Sequence, residues 1–119
     1  MRLPLSFTAA LLLLSGIATA DAADTTLLAA TAGFLLGNAH RCNIPAERIV
    51  RASQVIRDMI RAAAQNVDEE TGADARFAEA FSSSAYPDAN SESLVPSCAA
   101  VSMQFQRLER HHQQAGFTD

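Results

Sequence analysis

Apolar residues recur at steps of three and four along this chain, the spacing of helices and not of strands. The first seam is Leu28, Ala32, Leu35, Ala39 and Cys42, predicting a helix from about Thr25 to Arg41 with Asp24 or Thr25 as its N-cap. Asn43-Ile44-Pro45 breaks it, and Pro45 suits the first turn of the next helix. From about Pro45 to Asn66 the pattern is clearest. Ile49, Ala52, Val55, Ile56, Met59, Ile60, Ala63 and Val67 fill one arc of a helical wheel, with Arg51, Gln54, Arg57, Asp58, Arg61 and Gln65 opposite.

Asp68-Glu69-Glu70-Thr71-Gly72 reads as an acidic turn, followed by a short third helix over about Ala73 to Ser83 anchored by Phe77 and Phe81. Residues 82–96 are rich in Ser, Pro and Asn and carry little periodicity, which predicts a long loop. A last seam, Cys98, Val101, Phe105, Leu108 and His112, predicts a fourth helix over about Ser97 to Gln114. The expected fold is all-α: a small bundle of four helices, three long and one short on this reading. A disulfide between Cys42 and Cys98 would join the end of the first helix to the start of the fourth and set the two antiparallel. The apolar seams then meet, Ala39 near Val101 and Leu35 near Phe105, so covalent and packing arguments ask for the same arrangement.

The first twenty residues change the picture of where the chain works. Arg2, an apolar stretch through Ile17 and the small-x-small site Ala18-Thr19-Ala20 have the three parts of a secretory signal, with Ala20-Asp21-Ala22 as a second cleavage site. The expectation is a signal peptide over 1–20 and one helical domain over 21–119, periplasmic or secreted. A retained anchor is the alternative, but the apolar stretch is short for a span of ~20 residues. In an oxidising compartment, two cysteines are expected to form a structural disulfide. A redox-active or metal-binding pair is the alternative. Such sites usually bring the thiols close in sequence, as in Cys-x-x-Cys, which is absent here.

The chain has 119 residues, 49% apolar and 18% charged, and a net charge of -4, which fits one globular domain and argues against nucleic-acid binding. All nine basic residues are arginine. Arg41, Arg48, Arg51, Arg57 and Arg61 lie in a stretch whose only acids are Glu47 and Asp58, and Arg41, Arg48 and Arg51 are candidates for binding an anion or a partner's carboxylate. The bland alternative is neutralisation by the acidic stretch Asp68–Asp74. Gly33 and Gly37, with Ala30, form a small-residue stripe on the first helix. Glycine there costs about 1 kcal/mol, so close packing within the chain, a dimer face or a ligand groove is expected to compensate. His40 stands far from His111 and His112, roughly 20 Å along the fourth helix, so the three do not form one metal site. No nucleophile motif, phosphate loop or haem-attachment motif is present, so the expectation is a non-enzymatic protein without metal or cofactor.

At Gly33-Phe34-Leu35-Leu36-Gly37-Asn38-Ala39-His40-Arg41-Cys42 and Pro96-Ser97-Cys98, the chain resembles small exported two-cysteine helical proteins of proteobacteria. The resemblance covers most of the chain after the signal segment and implies a compartment and a fold. In layout the chain is also distantly similar to the HdeA-type periplasmic acid-stress chaperones, which are small, helical, exported and stapled by one disulfide. That likeness implies binding of unfolding clients at low pH, but the lack of lysine departs from the family's lysine-rich pattern, and no functional residue carries across. The leading expectation is a protein-interaction domain that binds another exported protein or itself through a helix face. An acid-stress holdase and a small anion or ligand carrier are the alternatives. Neither nucleic acid nor stable membrane insertion after cleavage is expected.

Overall fold

A computed structural model of the chain describes residues 17–88 and 95–116. They form α1 (Ile17–Arg41), α2 (Ala46–Ala63), α3 (Val67–Ala85) and α4 (Cys98–Gly116), with no strand among the described residues. Most of the expected signal segment lies outside the described residues. Its last residues do not: α1 starts at Ile17 and runs without a break through Ala18–Ala22, upstream of the expected cap at Asp24 or Thr25. Nothing between Ile17 and Thr25 is a helix breaker, and four of those residues are alanine, the best helix former.

The turn after α1 is built on hydrogen bonds that the sequence only partly signals. Asn43 adopts a left-handed conformation, φ 66°. The Asn43 N–H donates to His40 O at 3.1 Å and the Ile44 N–H to Ala39 O at 3.0 Å, which is the Schellman pattern. Asparagine tolerates that φ better than most residues. Cys42 is thereby held at the C-cap of the helix, directly after Arg41. Its sulfur bonds that of Cys98, with the two Cα atoms 5.5 Å apart across 56 positions of sequence.

The third helix is longer than the apolar pattern predicts. Asn66 accepts a hydrogen bond from the Glu69 N–H at 2.9 Å, and the Glu69 carboxylate accepts from the Gln65 N–H at 3.0 Å. This is close to a capping box. The expected acidic turn is therefore the first turn of α3, where Asp68, Glu69 and Glu70 meet the positive end of the helix dipole. At its other end α3 extends through Ala85, so residues 82–85 of the expected loop at 82–96 are helical; residues 89–94 of it lie outside the described residues.

Helix α1 is the centre of the fold, touching all three other helices and packing most extensively on α3. Gly33 faces Phe77, Ala80 and Phe81; one turn on, Gly37 faces Phe81, Ser84 and Ala85. Both sets of numbers rise together, so α1 and α3 run parallel. The short connections at 42–45 and 64–66 reverse the chain into and out of α2. Helix α4 starts at Cys98, bonded to Cys42, and returns along α1, with Leu35 and Val101 on one cleft. The core gathers Leu36, Ile56, Ile60, Phe77 and Phe105 with small residues of α1, and Leu28, Leu35 and Leu108 pack against it. Burying side chains of this size contributes about 1.5–3 kcal/mol each.

Candidate functional site

Three places bring the chemistry-bearing residues together. The first is the disulfide end. Asn38 is buried on the last turns of α1, donates to Phe34 O at 2.9 Å and accepts from Arg41 Nε at 2.9 Å. The same guanidinium donates from Nη2 to Pro96 O at 2.8 Å and lies with Nη1 3.7 Å from Cys98 Sγ. Arg41 is thus fixed at the α1–α4 junction. Beside it, the His40 Nε2 and the Tyr86 hydroxyl are 3.3 Å apart, and the two rings meet edge to face.

The second place is a cleft of about 450 Å³ between α2 and α4, lined by Arg48, Arg51, Asp58, Leu108, Glu109 and His112 among others. Arg48 Nε lies 2.9 Å and Nη2 2.6 Å from the two Glu109 oxygens, a bidentate pair. Its guanidinium also sits 5.3 Å from the centre of the Phe105 ring. The hydrogen bonds from Arg48 hold the Glu109 carboxyl below its ordinary range against the opposing effect of partial burial, and the charges of Arg48 and Arg51 add to this. In return, Glu109 raises Arg48.

The structure therefore brings Arg48 and Arg51 to one cleft and keeps Arg41 out of it. The fork of Arg48 is already filled by a carboxylate of this chain. Glu109 is not among the residues that the sequence pattern singles out. The available signal is an acid one position after Leu108 of the last seam, on the flank turned toward α2. The acidic stretch meets this arginine face once, where Arg61 Nε lies 3.3 Å from Glu70 Oε2.

The third place is the outer stripe of α1. Leu27 is 64% exposed and Phe34, two turns later, 48% exposed. Phe34 forms part of the wall of two neighbouring clefts. One, of about 230 Å³, lies toward the end of α3 and includes Ser83, Ser84, Pro87, Val95 and Pro96. The other, of about 160 Å³, lies toward α4 and includes Ala100, Val101 and Gln104. Asn38 and Pro96 belong to both.

Gly33 and Gly37 lie on the buried side of α1. A Cβ at Gly33 would come within 2.5 Å of Phe77 O and 2.8 Å of the Ala80 Cβ, and one at Gly37 within 2.7 Å of the Ser84 Cβ. Ala30 is half-buried on the same helix. At Gly33 and Gly37 the stripe is thus occupied within the chain by α3. Among the described residues, no group of three or more His, Cys, Asp or Glu is placed to hold a metal ion. No helix among them is long and apolar enough to cross a membrane. Comparison with known proteins gives no matching family model, no matching curated protein and no matching solved structure.

Proposed function

We propose that this chain is a small exported, non-enzymatic interaction protein that binds another exported protein, or a second copy of itself, through the outer stripe of α1. The observation that carries the reading is Phe34, a large apolar side chain left half exposed between two adjoining clefts. Aromatic residues set among shallow pockets are typical anchors of protein interfaces, and exposed apolar patches mark contact surfaces. Export rests on the signal-like segment 1–20, and the Cys42–Cys98 disulfide supports it, because such bonds persist in oxidising compartments.

A photoreactive amino acid placed at Leu27, and separately at Gln54 on the α2–α4 cleft, tests the reading in cells that export the chain. A discrete adduct, homotypic or heterotypic, is expected from Leu27 and not from Gln54, and it should vanish when Phe34→Ser is added. No adduct from Leu27, or one that ignores Phe34→Ser, would remove this surface as the binding face.

An acid-stress holdase is the second reading, favoured by the Arg48–Glu109 ion pair, through which a titratable carboxylate bridges α2 and α4. It predicts suppression of client aggregation near pH 3 and none at neutral pH. The anion-carrier reading draws less support, because Arg41 and Arg48 both already have partners within the chain.

A further inference from the structure

The Arg41 guanidinium has an unusual set of neighbours. Its three nitrogens are directed at an amide oxygen of Asn38, the backbone oxygen of Pro96 and the sulfur of Cys98. All three are uncharged, and no carboxylate pairs with Arg41 among the described residues. Two oxygens thus hold this cation against one sulfur of the disulfide. A cation in contact with a sulfur favours the thiolate over the thiol when the bond is open, and the thiolate is the nucleophile in exchange. The two cysteines also differ in access: Cys98 is exposed and Cys42 is half-buried.

We propose that Cys98 is the attacking thiol of the pair, Cys42 the resolving thiol and Arg41 the residue that activates Cys98, so that the disulfide closes by ordered, stoichiometric exchange with an external disulfide. The Cys98 thiolate attacks one sulfur of R–S–S–R. That bond breaks, one RS⁻ leaves with the electron pair, and Cys98–S–S–R forms. Cys42, as thiolate, then attacks Cys98 Sγ, the second RS⁻ leaves, and the Cys42–Cys98 bond forms. Two electrons pass from the protein dithiol to the external disulfide, which ends as two thiols carrying the two protons. The external disulfide is a small-molecule disulfide such as oxidised glutathione.

The test uses the full chain without its signal segment, reduced, freed of reductant and followed for helicity by circular dichroism. Oxidised glutathione is added, the reaction is quenched with acid, and the glutathione is located by peptide mass spectrometry. Iodoacetamide, which is uncharged, then gives the alkylation rate of each cysteine as a function of pH. Glutathione is expected on Cys98 in preference to Cys42, and alkylation of Cys98 at pH 7 about five- to tenfold faster than that of Cys42. Arg41→Gln should bring the two rates within about twofold and move the Cys98 rate profile to higher pH, while Arg41→Lys restores most of the difference. A purely structural Arg41 would change stability and leave the ratio alone. Equal rates, including those of a reduced chain that has lost its helices, overturn the proposal. So does a preference for Cys42 or a preference that survives Arg41→Gln.

Discussion

Between α1 and α3 the surfaces touch through glycine, alanine and serine; between α2 and α4 the contact is a cleft bridged by Arg48 and Glu109. At the first contact a single methyl group at Gly33 would already press on Phe77 O and the Ala80 Cβ. At the second, side chains leave about 450 Å³ open, and the polar link joins groups that are both partly exposed. Close backbone approach makes many small dispersion contacts and tolerates no added volume. A half-exposed ion pair contributes about 1 kcal/mol or less and depends on pH and salt. The two contacts are thus a rigid frame and an adjustable one, and Phe34 stands where α1 presents its outer stripe between α3 and α4.

Perturbations separate the two frames by size. The largest loss is expected from Phe105→Ala, which empties the floor beneath Arg48 and the site of a fully buried ring; about 3–5 kcal/mol should be lost in urea unfolding. Gly33→Ala and Gly37→Ala should each cost about 1–3 kcal/mol through overpacking, although alanine is the better helix former. Gly72 sharpens this contrast. It lies inside α3 with nothing within 4 Å of an added Cβ, so Gly72→Ala should stabilise by about 0.5–1 kcal/mol. Opposite signs for glycines in two packed helices would isolate the close approach as the cause.

Loss of the Asn66 cap by Asn66→Ala should cost about 1 kcal/mol and loosen the start of α3 without touching the α2–α4 cleft. The smallest effect belongs to the ion pair. Because folding lowers the Glu109 carboxyl below its ordinary value, its contribution is complete above the usual carboxylate range and disappears as the pH falls through the lowered one. Glu109→Gln should therefore reduce stability slightly at pH 7, by about 1 kcal/mol or less, and flatten the acid limb of the stability curve. Equal acid limbs in the two proteins would show that the pair does not hold the cleft.

The same contrast explains what was legible in the sequence. Large apolar residues at helical spacing announce the contacts they make, so the four helices and the Cys42–Cys98 arrangement follow from pattern and spacing. The α1–α3 seam gives no such signal. Glycine, alanine and serine carry little hydrophobic periodicity, and α1, buried against several partners, has a weak polar–apolar division. The glycine stripe marked a close approach but could not say what approaches. The start of α3 was hidden for another reason: three acids in succession read as a solvated turn, whereas Asn66 and Glu69 are spaced to cap a helix. Arg48 was visible as a candidate cation, but its partner Glu109 is 61 positions away, and only the fold joins them.

Native-state hydrogen exchange at neutral pH and at pH 4 tests the two-frame account most directly. The slowest amides should lie around Gly33–Gly37 of α1 and Phe77–Ala85 of α3, opening only with the whole molecule, while the half of α4 beyond Phe105 opens at lower free energy and more readily at the acidic pH. After correction for the intrinsic pH dependence of exchange, uniform protection across α1, α3 and α4 would contradict the account. So would an acid effect that falls on the α1–α3 seam.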